Sequence, residues 1–400
     1  MRKIKIGCWF LPKKAFNLFC VIVFAYGLVG CQKEGMSPST SGNMRLKKVS
    51  YDQLTGWQSE DFSALISVFA KNCAQIQNSR KEYIESDAVR FKTADFQAKC
   101  LKFESEKIKT SAQMKNFIES EFIPYAITDD GKAEGKFTSY YEAVIHASYQ
   151  KSDKYKYPIY GKPSDLAEIN LRDFDAELPN MRLVGRVENG KFIPYYNRRD
   201  IEKNGIKAPV LMWGDDLVDI HFMQIQGSAV AKMADGSEVQ IGFADSNGHK
   251  FKGIGSILLQ KGYVKSGEAS MPKIREWLRA NPQKAEDIMH ENNRFIFQRI
   301  TKSDGPVGAY GISLTAGRSL AVDTRYIPLG SMLWLDTVSP DKRNIRKIVF
   351  AQDIGSAIKG VVRGDYFWGH GEEALEYAGR MNSVGKYYIL APKESELKSD

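Results

Sequence analysis

Two aspartates near the C-terminal end of the chain carry the clearest chemical signal in the sequence. Asp353 follows the apolar run 345–351, and Asp365 lies twelve residues further on, next to Tyr366-Phe367-Trp368. Aromatic rings stack on the apolar faces of sugars, and loss of surrounding water raises a carboxyl pKa until the group can donate a proton near neutral pH. The segment 350–369 therefore indicates acid chemistry on a carbohydrate. A turn cap at Asp353 and a surface acid at Asp365 are the structural alternatives.

Three other segments contain side chains that could hydrogen-bond a sugar. Residues 223–228 end in amides and a glycine, which suits hydroxyl and N-acetyl groups, and residues 245–249 and 138–141 are also rich in polar side chains. Each segment has a purely structural interpretation as well: a strand leading into a turn, a plain turn, and an edge strand. Alone, none of them distinguishes a binding site from ordinary structure.

Composition excludes several classes of protein. The chain has 400 residues, 43% of them hydrophobic and 26% charged, which excludes a disordered chain, a fibre and a polytopic membrane protein. The formal net charge is +9, but residues 1–30 contribute five positive charges and no negative one. The body is therefore too mildly basic to indicate nucleic acid. The five histidines lack metal-ligand spacing, and there is no Gly-x-Ser-x-Gly elbow or phosphate-binding loop, so we predict no metal and no cofactor.

The first 30 residues have the pattern of a secretory signal, with a basic start and an apolar run over 18–30. This run is shorter than the roughly 20 residues that a membrane-spanning helix needs. It ends in Leu28-Val29-Gly30-Cys31, which resembles a bacterial lipobox; an ordinary signal peptide with an accidental cysteine is the alternative. We predict acylation of Cys31, followed by a tether over 31–46. Because no Asp follows the cysteine, we expect a lipid anchor in the outer membrane of a Gram-negative bacterium, facing the periplasm.

Apart from Cys31, only two cysteines, Cys73 and Cys100, lie beyond this signal. An even pair in an oxidising compartment could form a disulfide, and two buried thiols are the alternative. Neither cysteine has a pattern of metal ligands around it, so we predict no zinc site.

The elements that must position the candidate residues are mostly strands. Asn189-Gly190 and Asp235-Gly236 indicate two hairpin turns. Helices are expected after Asp61, over 111–122, after Ser270 and after Asn281. Apolar runs of strand length occur at 210–213, 222–225, 332–335, 345–351 and 387–390. Many short strands without strand–helix alternation favour a β-barrel architecture, mainly β with appended helices, over a doubly wound sheet.

Seven segments, the lipobox included, occur in an order that resembles the membrane-bound lytic murein transglycosylase A family. The others are Phe137-Thr138-Ser139-Tyr140-Tyr141, Tyr157-Pro158-Ile159-Tyr160, Gln224-Ile225-Gln226-Gly227-Ser228, Asn247-Gly248-His249, Ile327-Pro328-Leu329-Gly330, and Asp353 and Asp365 on either side of Gly360. The resemblance extends from about residue 137 to 390, whereas 45–130 match the family poorly.

The resemblance implies a fold. A double-psi β-barrel would be built from 47–142 together with 301–392, and a second, smaller β-barrel domain would be inserted at 143–300. A groove between the two domains would hold a glycan strand, and 393–400 would form a short tail.

The resemblance also implies which residues act. Asp365 would be the catalytic acid, supported by Asp353, and would cleave the β-1,4 bond between N-acetylmuramic acid and N-acetylglucosamine in peptidoglycan without water, leaving 1,6-anhydromuramyl ends. Contacts to the glycan would come from Thr138, Tyr140, Gln224, Gln226, Gly227, Ser228, Asn247, Gly248, His249 and Trp368. We expect a monomer whose partners are peptidoglycan, outer-membrane lipid through Cys31, and cell-wall enzyme complexes.

Two alternatives to this function stay open. One is a hydrolytic glycosidase that uses Asp353 and Asp365 as a pair, and the other is a glycan-binding lipoprotein without catalysis. One departure bears on the site: between the two aspartates this chain has one more residue than the family form, within 361–364. A real shift at that position would weaken the assignment of Asp365.

Overall fold

The computed structural model describes residues 42–265, 267–303, 305–395 and 397. The predicted signal at 1–30, Cys31 and most of the predicted tether lie outside the described residues, as does most of the tail. Within these ranges, no helix combines the length and the apolar character that crossing a bilayer requires.

Nine helices lie in the described part of the chain, together with short 3-10 turns at Tyr51–Gln53, Trp57–Ser59 and Leu171–Asp173. The helices are α1 (Ser63–Gln77), α2 (Thr93–Ser105), α3 (Ser111–Glu121), α4 (Arg198–Asn204), α5 (Leu217–Gln226), α6 (Ile254–Gln260), α7 (Met271–Ala280), α8 (Pro282–His290) and α9 (Glu372–Arg380).

Eighteen strands lie in the same ranges and make the fold mainly β, as predicted. They are β1 (Met44–Lys48), β2 (Tyr83–Glu85), β3 (Arg90–Lys92), β4 (Phe122–Asp129), β5 (Gly135–Ser148), β6 (Tyr157–Tyr160), β7 (Ala167–Asn170), β8 (Arg182–Glu188), β9 (Lys191–Pro194), β10 (Val210–Gly214), β11 (Ala229–Met233), β12 (Glu238–Ser246), β13 (Ile296–Thr301), β14 (Ser319–Val322), β15 (Met332–Val338), β16 (Asn344–Ile354), β17 (Arg363–His370) and β18 (Asn382–Pro392).

Six of these strands close into a ring. The hydrogen-bonded order is β5-β17-β14-β16-β15-β18, and the start of β18 pairs back onto the start of β5. Phe137, Leu320 and Tyr366 pack from one face of the ring into the main hydrophobic core, which also takes in α1, α2 and α3. Because side chains alternate along a strand, the neighbours Thr138 and Asp365 face the opposite way.

Strand β5 is shared between the ring and a second sheet. Its first half pairs with β17 and β18, and its second half pairs with β10 and β11. The second sheet has the order β6-β10-β5-β11-β12-β13, with a core of its own and a helical cluster formed by α5 to α8. The single strand β5 therefore connects the six-stranded ring to the second sheet, and residues near the middle of β5 lie where the ring and this sheet meet.

One close approach fixes where β5 begins. A Cβ atom on Gly135 would lie 1.8 Å from the carbonyl oxygen of Val362, far inside any allowed contact. Only glycine fits at this position, and it lets the start of β5 lie against the segment that leads into β17.

Several predicted elements are confirmed. The hairpins at Asn189-Gly190 and Asp235-Gly236 are present as β8–β9 and β11–β12, and both residues of the first turn have positive φ, 51° and 76°. Helices α3, α7 and α8 begin where the cap and proline signals predicted.

The strand predicted at 222–225 is wrong, because this run lies in helix α5. The Asp216 side chain caps the helix by accepting hydrogen bonds from the backbone N–H groups of Val218 and Asp219. Gly227 ends it in the left-handed conformation, with φ of 89°. A short apolar run does not distinguish a buried strand from a buried helical turn, whereas these two flanking residues do.

A disulfide joins α1 to α2 through Cys73 and Cys100. Both cysteines are buried in the main core. The bond therefore ties together the two helices that flank the β2–β3 hairpin.

Candidate active site

Four residues from four neighbouring strands form a row on one face of the ring. Thr138 on β5 is opposite Asp365 on β17, Asp365 is opposite Ala321 on β14, and Ala321 is opposite Asp353 on β16. Adjacent strands lie about 4.8 Å apart, so the backbones of the two aspartates are separated by roughly 10 Å. The fold thus brings Thr138 close to the two aspartates, which lie more than 200 residues later in the sequence.

Asp365 lies at the centre of the row and is half-buried. The Thr138 hydroxyl donates a hydrogen bond to Oδ1 of Asp365, and Nη2 of Arg363 donates to the same hydroxyl oxygen at 2.7 Å. Burial raises the pKa of Asp365 above its ordinary value, and this effect outweighs the opposing hydrogen bond from Thr138 and the charges of Arg363 and Lys136. The carboxyl therefore keeps its proton to higher pH than a free aspartate does.

The other oxygen of Asp365 is differently placed. No donor among the described residues reaches Oδ2, while Thr138 occupies Oδ1. When the carboxyl group is protonated, the oxygen without the proton is the better acceptor. Because Oδ1 accepts from the Thr138 hydroxyl, the proton is favoured on Oδ2. The arrangement suits a carboxylic acid that presents its proton through Oδ2.

Asp353 is held on both oxygens. The Tyr140 hydroxyl donates to Oδ2 at 2.9 Å, and the backbone N–H of Ala309 donates to Oδ1 at 3.0 Å. Burial is the main cause that raises the pKa of Asp353 to about 6, and the negative charge of Asp365 adds to it. Asp353 is therefore fixed in place and carries a negative charge above about pH 6.

Apolar side chains surround this row and account for the loss of water around the carboxyl groups. Tyr140 and Phe367 pack with ring centroids 5.1 Å apart. The buried cluster on this face is formed by Tyr140, Leu314, Ala321, Ile358 and Phe367. A negative charge is poorly stabilised beside such an apolar surface. The cluster therefore explains why burial is the main cause of the raised pKa of both aspartates.

A third carboxyl group, Glu142, lies on the same face of β5. Positions 138, 140 and 142 alternate with the core-facing positions, and Glu142 is only 2% exposed. Its Oε1 accepts a hydrogen bond from the Gln240 side chain, and burial raises its pKa to about 7. Sequence reasoning missed both Glu142 and Arg363, although alternation from Thr138 along β5 would have indicated Glu142.

A cavity of about 760 Å³ opens beside the row. It is lined by Asn382, which pairs with Thr138, and by Lys136, whose charge acts on Asp365. The remaining lining residues are Lys132, Ala133, Glu134, Gly135, Ser383 and Val384.

The predicted glycan contact at Gln224 does not fit the structure. Gln224 is 4% exposed, and its Oε1 accepts a hydrogen bond from Nη2 of the buried Arg198 at 2.6 Å. Its amide therefore satisfies a buried cation. Gln226 lies nearer the site, because its Oε1 accepts from the backbone N–H of Tyr141 on β5 at 3.2 Å. Gly227 and Ser228 are half-buried in the turn that leads from α5 to β11.

Asn247 and His249 hydrogen-bond the backbone of neighbouring loops. Asn247 Nδ2 donates to the carbonyl oxygens of Tyr196 and Asn293, each at 2.9 Å. His249 Nε2 lies 2.8 Å from the carbonyl oxygen of Tyr195. Asn247 is 1% exposed, so its predicted contact with a glycan does not fit the structure. Gly248 is exposed and His249 is half-buried, and their predicted contacts stay predictions.

Trp368 packs against a helix. Its ring stacks on the ring of Tyr377 of α9, with centroids 4.7 Å apart. It also meets the ring of Tyr366 edge to face, with centroids 5.0 Å apart. These ring contacts join β17 to α9, and the predicted contact of Trp368 with a glycan stays a prediction. The structure thus gathers Thr138, Tyr140, Asp353 and Asp365 into one cluster and leaves Trp368 outside it.

The described residues contain no group of three or more His, Cys, Asp or Glu side chains arranged to hold a metal ion. The side chains on this face offer carboxyl groups, the hydroxyls of Thr138 and Tyr140, and the guanidinium of Arg363.

Two known domain families and several solved structures resemble this chain. Residues 136–299 match the family described as the MltA specific insert domain, and residues 318–391 match the 3D domain. MltA of Neisseria gonorrhoeae, in a monoclinic crystal form, is 31% identical with a TM-score of 0.76, over 90% of this chain and 97% of that one. The chain belongs to the membrane-bound lytic murein transglycosylase A family. The predicted family and its class of enzyme are confirmed.

MltA of Escherichia coli resembles this chain in both sequence and structure. Membrane-bound lytic murein transglycosylase A of strain K12 is 28% identical over 270 residues, covering 65% of this chain and 67% of the relative. A crystal structure of E. coli MltA with bound chitohexaose has a TM-score of 0.61 at 23% identity, over 82% of this chain and 90% of that one, and this likeness concerns the fold. The alignment thus spans about two thirds of the curated relative, whose name describes it as membrane-bound.

Proposed function

We propose that this protein is a lytic transglycosylase that cleaves the β-1,4 bond between N-acetylmuramic acid and N-acetylglucosamine in peptidoglycan, with Asp365 as acid and then base. The observation that carries the proposal is the half-buried Asp365, whose Oδ1 accepts a hydrogen bond from Thr138 and whose pKa is raised by burial. Membership of the MltA family and the chitohexaose bound to E. coli MltA support a glycan substrate.

In the first step Asp365 gives its proton to the glycosidic oxygen as the bond from that oxygen to C1 breaks. The leaving sugar departs as an alcohol, and C1 of the muramic acid acquires oxocarbenium character. A bound glycan would cover the exposed part of Asp365, and the resulting loss of water raises the pKa of this carboxyl further. Substrate binding therefore prepares the acid for its first task.

In the second step the Asp365 carboxylate accepts the proton of the C6 hydroxyl while O6 attacks C1. A 1,6-anhydro ring closes, and Asp365 regains the proton that it lost. An internal nucleophile held close to its target acts with an effective molarity of roughly 10⁵ M or more. The reaction therefore needs neither a water molecule nor a second carboxylate as nucleophile.

The surroundings of Asp353 favour a supporting electrostatic role. Both of its oxygens are engaged, by Tyr140 and Ala309, which leaves it poorly placed to attack a sugar or to activate water. Its negative charge above about pH 6 would stabilise positive charge at C1.

The products distinguish this function from hydrolysis by an Asp353–Asp365 pair. Purified protein is incubated with murein in water enriched in oxygen-18, and the new ends are identified by mass spectrometry. The proposal requires anhydro ends that are one water molecule lighter than reducing ends and carry no label. Labelled reducing ends would identify a hydrolase, and binding without any new ends would identify a glycan-binding protein.

We further infer that the closed ring is the double-psi β-barrel of the family, formed by 47–142 and 301–392, with 143–300 as the inserted domain. The closure of β18 onto β5 and the second core around β11 and β12 support this division. The glycan groove would cross β5 near Thr138 and Tyr140, where the ring gives way to the second sheet.

The proposed location is the periplasmic side of the outer membrane, through acyl chains on Cys31. The lipobox at 28–31 supports it, and the membrane-bound relatives agree with it. A protein that carries more than one acyl chain is anchored stably in a membrane. The acyl chains on Cys31 would therefore be a sufficient anchor without a membrane-spanning helix.

A further inference from the structure

We infer that the cavity beside Asp365 binds the peptide substituent of N-acetylmuramic acid through that peptide's carboxylate groups, so that the substrate is peptide-bearing glycan. This inference rests on the proposed function, since it assigns a second part of the same substrate to a neighbouring site. The cavity measures about 760 Å³ and is formed by the start of β5 and the start of β18.

The position of the cavity suits a group attached to the reacting sugar. Asn382 is the strand partner of Thr138, and Lys136 lies two residues before Thr138 on the same face of β5. Two residues along a strand correspond to about 7 Å. The peptide is attached through the lactyl ether at O3 of the same ring whose C1 reacts over Asp365, and a substituent at O3 reaches over such a distance.

The charges in the cavity suit a carboxylate rather than a sugar. Lys132 and Lys136 both line it, Glu134 is its one acidic lining residue, and Nη1 of Arg363 donates to the Lys136 carbonyl oxygen at 3.3 Å. Neither lysine forms an ion pair with any residue that the structure describes. In peptide-bearing glycan the lactyl carboxyl group is tied up in an amide, so the free carboxylates lie on the peptide, and these are the groups that the two cations can bind.

The cavity also presents an apolar surface next to these cations. Val384 is 64% exposed on β18, although it has a strand partner in Lys136. An alanine-containing peptide would cover this side chain with its methyl groups, which accounts for a valine in an otherwise polar rim.

The test compares two soluble substrates: uncross-linked glycan strands that bear peptides, and the same strands after an amidase has removed the peptides. For each protein, kcat/KM is measured on both, and the ratio of peptide-bearing to bare glycan is reported. Each exposed ion pair contributes about threefold. The double variant Lys132→Gln, Lys136→Gln should therefore lower this ratio about tenfold, and added salt should lower the wild-type ratio in the same direction. The exposed Lys203→Gln serves as the matched control.

Each outcome has a separate meaning. A ratio that is unchanged in the double variant overturns the inference. If kcat/KM also falls equally on both substrates, the two lysines serve a part of the substrate that bare and peptide-bearing strands share. If wild-type protein forms no anhydro ends on either substrate, the proposed function fails independently of the cavity. A double variant that fails to fold is replaced by Val384→Asp, in which the new negative charge should repel the peptide and lower the same ratio.

Discussion

The hydrogen bond from Thr138 to Asp365 makes the sharpest prediction, because it should set the pH at which the acid loses its proton. Thr138→Val removes a donor to the carboxylate and keeps the size of the side chain. A hydrogen bond to a charged group is worth about 1.5 kcal/mol or more, and about 1.4 kcal/mol corresponds to one pH unit. The pKa of Asp365 should therefore rise, and the basic limb of the activity profile should move to higher pH by about one pH unit.

The sign follows from the role of Asp365. As a general acid it is active when protonated, so activity falls as pH rises through its pKa, and a higher pKa moves that fall to higher pH. Burial raises this pKa, while Thr138, Arg363 and Lys136 lower it. Arg363→Gln removes one of these opposing charges and should move the basic limb in the same direction.

The assay is kcat/KM for release of anhydro ends from peptide-free glycan, measured across pH for wild type and both variants. Thr55→Val, which removes an exposed hydroxyl on a distant turn, is the control and should leave the profile unchanged. A basic limb that stays in place, or moves to lower pH, in Thr138→Val would refute the assignment of Asp365 as an acid tuned by this hydroxyl.

Three further predictions concern stability and location. Burial raises the pKa of Glu142 to about 7, so the free energy of unfolding of the wild type should fall between about pH 4.5 and 7. Glu142→Gln lacks this loss, so its free energy of unfolding relative to wild type should be up to about 3 kcal/mol more favourable at about pH 8 than at about pH 4, measured by urea unfolding. The Cys73–Cys100 bond closes a loop with a sequence separation of 27, so the double serine variant should lose about 3 kcal/mol in the same assay, and an equal stability of the two proteins would contradict this. Cys31→Ser should move the protein from the membrane fraction to the soluble periplasm, and a variant that still sediments with membranes would contradict the anchor.

Local signals in the sequence were sufficient for short elements. Asn189-Gly190 allows the left-handed conformations that a tight hairpin needs, and Pro272 and Pro282 lie in the first turns of α7 and α8. The strand prediction for residues 222–225 was wrong because so short an apolar run shows no period. The helix caps at Asp216 and Gly227 determine its structure instead.

The candidate site depended on non-local pairing that no local signal contains. Thr138 and Asp365 are 227 residues apart in sequence and adjacent in the ring. The ordered resemblance to a family indicated both residues, while the hydrogen bond from Arg363 to Thr138 depends on the pairing of β17 with β5. Polar type alone could not distinguish a binding residue from a buried one, which is why Gln224 was assigned to the glycan although it bonds the interior cation Arg198.

The most direct test of the central claim is the yield of anhydro ends from murein by wild-type protein and by Asp365→Asn, with binding to the same murein measured in parallel. Asparagine has nearly the shape of aspartate and can accept the Thr138 hydrogen bond, but it can neither give nor take the proton. Formation of anhydro ends should fall by roughly 10³-fold or more, with murein binding retained. An Asp365→Asn protein that forms these ends at a rate close to wild type would contradict the account.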